Sequence, residues 1–391
     1  MGMLAALAAR PAGAGPWSIE PRFGVEDDYT TNPLLTYPAV PSEERVAAIY
    51  DLPLRYDTDE FDFMLRPNGR YSDQQGYSSL ASNYEHLDGS AQYADELDSA
   101  VVQAEVARDS SLYYLGGIAN RIGVPRDSAN TSGDWTHSLT ERSNIELDGF
   151  WIRVRYDEPP DFNGLTDYRY WTAGPTLSFA ASERNSVKLI GSYSVYQSLN
   201  GLTQSKSESI QMGLVRRLTE IWTLSLTAGY SRSTDSDKIY VYQIYYLGTQ
   251  TSNQDSGVYS ASLTRQGERF NFTASVARAL QPTGFAYLTR QDSVNVTATY
   301  IRSERLDFAL SGVWLKAVTP EQSFGQPTPS VVDVDQHYLN ARLTANWHWT
   351  PQWTVSLSVT KISQQSGPPT VSAASTNIGL SVSRQFLRTQ F

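Results

Sequence analysis

Chemistry in this chain would have to come from few groups. There are four histidines, His86, His137, His337 and His348, and no cysteine. No histidine stands at metal-ligand spacing from another, so no metal or cofactor site is expected. No nucleophile elbow, H-E-x-x-H helix, phosphate loop or dinucleotide fingerprint occurs. His337 beside Asp333 and Asp335 is the nearest approach to an acid–base pair. Acidic neighbours of a histidine in a polar loop are commonplace, and no nucleophile accompanies them. The expectation is a non-enzyme. A formal charge of −10 without any basic tract excludes nucleic acid as a partner.

Charged residues recur instead on one parity of alternating segments: Asp62, Arg66, Arg70, Asp88, Glu105, Asp148, Arg153, Lys188, Asp307 and Arg342. On the inside of a barrel they would line the lumen. Facing clusters of opposite sign would impose a transverse field and select solutes; mutual pairing would stiffen the wall. The segment 239–247 gathers Tyr240, Tyr242, Tyr245 and Tyr246. It can fold inward as a constriction, stack on sugar rings, or extend two strands above the membrane. Residues 111–133, with Tyr113 and Tyr114, form a second candidate inward loop. Residues 157–167, with Pro159 and Pro160, read as an ordinary exposed loop.

The elements that position these groups are strands. Trp353, Val355, Leu357 and Val359 alternate with Thr354, Ser356, Ser358 and Thr360. Trp222, Leu224, Leu226, Ala228 and Tyr230 alternate with Thr223, Ser225, Thr227 and Gly229. Leu339 to Trp349 does the same against Asn340, Arg342, Thr344, Asn346 and His348, and Phe61, Phe63, Leu65 and Tyr71 lie opposite Asp62, Met64, Arg66, Asn68 and Arg70. One face is apolar and the other small and polar, the pattern of a transmembrane β-barrel with lipid outside and water inside. The mean hydropathy is −0.39, and no segment nears the roughly 20 apolar residues of a membrane helix. Trp222, Tyr230, Trp314, Trp347, Trp349, Trp353 and Phe386 are the expected interfacial girdle. Four places break the pattern. The apolar parity switches between Leu147 and Phe150, which a bulge near Gly149 would repair; the strand around Trp135 is weak; and Arg216 and Arg384 fall on the apolar parity, Arg216 close enough to a turn to snorkel.

Short charged turns centred near residues 59, 96, 141, 183, 220, 268, 304 and 351 recur every 36 to 48 residues. Each interval holds a strand, a longer polar loop and a returning strand. The eight turns join sixteen strands, and one further strand before these and one after them give the expectation of a single all-β, antiparallel, up-and-down transmembrane barrel of 18 strands. If residues 18–29 are not a full strand, 16 is the alternative. An even count puts both termini in the periplasm. Residues 1–14, with Ala12-Gly13-Ala14, read as the remnant of a signal peptide or as an Ala-rich terminus, and 15–391 as one barrel domain.

The opening Arg22-Phe-Gly-Val-Glu-Asp-Asp-Tyr-Thr-Thr-Asn-Pro-Leu-Leu35 and the ending Gly379-Leu-Ser-Val-Ser-Arg-Gln-Phe386 resemble the β-barrel porin 2 family of proteobacterial outer-membrane proteins, many encoded near exopolysaccharide genes. The resemblance implies an outer-membrane barrel with a pore-like role, inserted among lipids by the barrel-assembly machinery, and no catalytic residues. The expected function is a passive or weakly selective pore for small hydrophilic solutes. An accessory of polysaccharide secretion and a plugged structural barrel are the alternatives.

Overall fold

The computed structural model describes residues 17–33, 35, 37–72, 83–110, 125–157, 166–241, 245–282, 288–318, 336–366 and 371–391. Among these there is no helix, and eighteen long strands form one wall. They are β2 (Arg22–Thr31), β3 (Glu43–Asp51) continued by β4 (Leu54–Asp57), β5 (Phe61–Ser72), β6 (Tyr84–Ala94), β7 (Asp98–Ser110), β8 (Pro125–Thr140) and β9 (Ser143–Tyr156). The wall continues through β10 (Tyr168–Ser182), β11 (Asn185–Ser198), β12 (Thr203–Arg217), β13 (Trp222–Val241), β14 (Tyr245–Arg265) and β15 (Phe270–Pro282). It ends with β16 (Leu288–Ser303), β17 (Leu306–Val318), β18 (Gln336–His348), β19 (Trp353–Ser366) and β20 (Val371–Gln385). Each strand pairs antiparallel with the next, and β2 pairs with β20 from Arg22↔Gln385 to Thr31↔Thr376. The barrel is closed, as a wall in lipid must be. Two short pieces, β1 (Trp17–Ile19) and β21 (Thr389–Gln390), pair with each other, and β1 also pairs with β4.

All eight short turns fall where the charged segments place them, and seven are capped by the same device. The first residue offers a side-chain oxygen to the N–H groups closing the turn, as Asx and Ser/Thr turns do. Thr58 accepts from Phe61, Thr140 from Arg142 and Ser143, and Ser182 from Arg184 and Asn185. Thr219, Ser303 and Thr350 act alike, and Asp95 accepts from Leu97 at 2.8 Å and Asp98 at 2.7 Å.

The faces follow the alternation. Leu357 is 50% exposed and Ser358, beside it, only 6%. Outward residues such as Phe179, Leu189, Leu226, Leu343 and Val382 present bare apolar surface to lipid. Trp222, Trp347, Trp349, Trp353 and Phe386 lie outward at the turn end, with Tyr230 and Trp314 toward the loop end. Arg384 sits outward between two rings, 5.6 Å from the centroid of Trp353 and 4.7 Å from that of Phe386. Its break in the alternation is therefore a cation–π contact in the girdle.

Two expectations are corrected. β9 pairs with β8 and β10 through Gly149 without a register shift there, so no bulge occurs at that glycine. Phe150, Ile152 and Val154 consequently point inward. Residues 125–133, expected in a loop, belong to β8, a full strand that contains Trp135. Its Pro, Asp, Asn and Gly residues have weak strand preference, and pairing on both edges overrides it.

Candidate channel lining and constriction

The inner face divides by chemistry. From β2 to β9 it is crowded with charge. Asp28, 2% exposed, accepts from Arg45 at 3.0 Å, from Arg70, and from Asn377 at 2.9 Å. Arg70 also meets Glu26 at 3.2 Å. These groups join β20, β2, β3 and β5 across the closure of the barrel. Next, Arg66 holds Asp51 through two bonds of 2.7 and 2.8 Å, and Asn68 donates to Asp88 at 2.8 Å. His86 lies 2.9 Å from Glu105, which also accepts from Asn130 at 2.8 Å. Arg126 and Asp109 form a buried bidentate pair at 2.6 and 2.9 Å. Lys188 of β11 is 3.9 Å from Glu146, and on β17 and β18 Asp307 takes bonds from His348 and Asn346, both 2.8 Å.

Of the charged residues singled out in the sequence, the structure places Asp62, Arg66, Arg70, Asp88, Glu105, Asp148, Lys188, Asp307 and Arg342 on the inner face. Arg153 is the exception. With no bulge at Gly149, the parity of β9 runs unbroken and Arg153 points outward, opposite Arg169. The sequence also missed that His86, Asp88 and Glu105 converge, their ligand atoms within 4.8 Å of one another. They are the described groups able to hold a divalent cation, although Glu105 and Asp88 already have partners. Cross-strand register brings them together, and no linear spacing reveals it.

From β10 to β20 the inner face is mostly hydroxyl and amide. Ser192 pairs with Ser209 at 2.7 Å, Ser207 with Ser231 at 2.8 Å and Thr227 with Ser260 at 2.7 Å. Away from the turns, its fixed charges at membrane depth are Lys188, Asp307 and Arg342.

The constriction comes from an element the sequence reading did not single out. β14 pairs with β13 along its whole length but with β15 only between Tyr259↔Arg278 and Arg265↔Phe272. Beyond Arg278, β15 parts from β14, while β16 stays paired with β17 as far as Arg290↔Val318. Leu288, 2% exposed, joins a cluster with Ile152, Val154, Tyr168, Tyr170 and Tyr196 on the inner face of β9–β11, with Leu280 packed against it. Adjacent Thr289 is 1% exposed, so both faces of this strand end are covered. The described ends of this hairpin, at Leu280 and Leu288, therefore turn in against the inner face of β9–β11. Arg278 marks the departure: it binds Asp292 at 2.5 and 2.8 Å and lies 5.4 Å over the Tyr259 ring.

Where β13 rises past Tyr230, burial lifts the carboxyls of Asp235 and Asp237 above the usual carboxylate range. Hydrogen bonds from Ser205 and Ser233 to Asp235, and from Thr203 to Asp237, oppose the rise. The described part of the 239–247 segment extends two strands, β13 running to Val241 and β14 starting at Tyr245 opposite it. Tyr246 is exposed and its hydroxyl lies 2.7 Å from that of Thr249. Tyr242 and the side chains of Tyr240 and Tyr245 lie outside the described residues, as do residues 111–124, 158–165, Asp333 and Asp335.

No family model matches the chain, so the resemblance to the β-barrel porin 2 family gains no support there, and no curated relative matches it. Among solved structures it is similar to Pseudomonas aeruginosa OccK2 (OpdF) in complex with glucuronate, at 11% identity over 94% of this chain and 98% of that one, TM-score 0.45. It is similar also to Pseudomonas aeruginosa OpdL, at 14% identity over 94% and 99%, TM-score 0.42. A third is the ferric citrate transporter FecA in the unliganded form, at 10% identity over 96% and 79%, TM-score 0.46. The closed wall itself is established by this chain's own strand pairing.

Proposed function

We propose that this chain is a pore for small hydrophilic solutes in the outer membrane of a Gram-negative bacterium, with both termini in the periplasm and the nine longer connections outside. The observation that carries the reading is a closed eighteen-strand wall, lipophilic outside and polar inside, into whose bore the described ends of the β15–β16 hairpin turn. Eighteen strands enclose enough space for an aqueous channel, and the hairpin reduces that space on one side. On the inner face of β2–β9, carboxylates outnumber guanidinium groups, so the pore prefers cations modestly.

The plugged-barrel reading rests on the same dry cluster, and planar-bilayer recording separates the two. An open pore gives steady steps with a cation-directed reversal potential in a salt gradient. Shortening the hairpin by joining residue 278 to residue 292 through a tight turn should raise the step size. Correctly folded barrels that insert silently, and become conductive only after this deletion, would establish the plugged barrel instead.

A further inference from the structure

Three arginines stand together on the lipid-facing side of β9 and β10. Ile152 and Val154 are buried in the inner cluster, so the intervening Arg153, and Arg155 after it, point outward. Arg153 is directly opposite Arg169 in the ladder. The next outward pair toward the membrane is Trp151↔Trp171, and Trp171 lies 5.5 Å from Tyr193. Phe179 at the turn end of β10 is eight positions from Trp171, the same separation as Trp222 from Tyr230 on β13. The tryptophans therefore mark the loop-side interface, and the arginines sit immediately above it, at headgroup level.

Like charges directly opposite across a ladder repel. Among the described residues, none of the three forms an ion pair that would offset this repulsion. Arg155 faces Asp127 in register, but that carboxylate is taken by Arg108 at 2.7 Å, and Asp157 is held by Arg108 too, at 2.5 Å. Among the described residues, Arg169 meets the neutral amide oxygen of Gln197. Nε of Arg153 is shielded from solvent and has no hydrogen-bond partner. Elsewhere on the outer surface, arginines near this level are answered: Arg278 by Asp292 and Arg232 by Asp255, the latter at 3.8 Å.

We propose that Arg153, Arg155 and Arg169 bind a phosphate group of a phosphorylated glycolipid in the outer leaflet, its sugar resting on Trp151 and Trp171 and its acyl chains running down the wall. Guanidinium forks match phosphate oxygens bidentately, and a dianionic phosphate between Arg153 and Arg169 converts their repulsion into two charge-assisted contacts. The proposal rests on the orientation given above, with the loop end outside.

The full chain, refolded in neutral detergent, is tested by native mass spectrometry with bis-phosphorylated lipid A as probe. The wild type should retain it. Enzymatically dephosphorylated lipid A, and the variant carrying Arg153→Gln and Arg169→Gln, should each bind roughly ten- to a hundredfold more weakly. Arg55→Gln, on the inner face, should bind as the wild type does. Heat-modifiable gel mobility confirms folding; if the double variant does not fold, Arg155→Gln alone should weaken retention severalfold. Undiminished binding by the folded variant overturns the site. Equal displacement by inorganic phosphate or by phosphatidylglycerol overturns the glycolipid as its ligand. The orientation is read separately, by labelling Asn200→Cys in intact cells with an impermeant maleimide. Failure to label overturns both the orientation and the outer-leaflet ligand, whereas labelling without lipid A binding sinks this inference alone.

Discussion

The two arcs of the inner wall satisfy the same requirement with different chemistry. Between β2 and β9, polar groups are ionic and are satisfied by one another: Asp28 with two arginines, Arg66 with Asp51, Arg126 with Asp109. Between β10 and β20 they are mainly hydroxyls paired across neighbouring strands. The difference bears on where an inserted segment can pack. A wall of serines already bonded to each other can be dried at small cost, while drying a row of carboxylates and guanidinium groups forfeits several kcal/mol of hydration per ion. Leu280 and Leu288 pack at the boundary between the arcs, on Ile152 and Val154 of β9 and on Tyr168, Tyr170 and Tyr196 of β10 and β11.

The largest test is to remove a partner from each arc. Asp28→Ala leaves Arg45 and Arg70 buried beside each other and should cost about 3–5 kcal/mol. Ser231→Ala removes one hydroxyl pair and should cost about 0.5–1.5 kcal/mol. Urea unfolding in lipid vesicles, followed by Trp fluorescence, measures both. Equal losses would erase the distinction between the arcs.

Within the neutral arc, the two faces of one strand differ next. Leu226→Arg places a charge in lipid and should cost about 2–4 kcal/mol if it lies near the midplane. Ser225→Arg, one residue away, should leave the unfolding midpoint nearly unchanged and lower single-channel conductance. A matching drop in stability for both would contradict the assigned faces.

Selectivity separates the arcs more gently. Asp134→Asn with Asp148→Asn, both on the inner face of the ionic arc, should move the reversal potential toward zero. Ser356→Asn in the neutral arc should not. No movement for the aspartate pair would mean that the permeation path follows the neutral wall.

Strand count, turn positions and wall parity were legible because each repeats: one error in a two-residue beat is outvoted by its neighbours. The inward apolar run Phe150, Ile152 and Val154 was visible too, but was read as a bulge. Its physical meaning, a dry patch awaiting a partner, needs Leu288, more than a hundred residues away. Pairing partners such as Asp28 with Arg70, or His86 with Glu105, depend on register, and alternation fixes parity without fixing which residues meet. The Arg153–Arg169 pair was hidden by the same misplaced bulge.

The smallest effect contrasts two turns, one in each arc. In the β6–β7 turn, Asp95 accepts the N–H of Asp98, the hydroxyl of Tyr93 and the N–H of Leu97. These bonds, the Asp98 amide foremost, hold its carboxyl below the usual carboxylate range. A group depressed on folding stabilises fully above its unfolded pKa of about 3.9, and the contribution fades as pH falls through the lower folded value. The β12–β13 turn is closed by the Thr219 hydroxyl, which does not titrate in this range. Asp95→Asn should therefore flatten the acid side of the stability profile, while Thr219→Ala lowers the curve evenly from pH 3 to 7. The carboxylate is fully exposed and screened by solvent, so the change is small and is best read as the slope of the urea midpoint against pH. An Asp95→Asn slope identical to that of the wild type would show that the turn owes its geometry to the backbone alone.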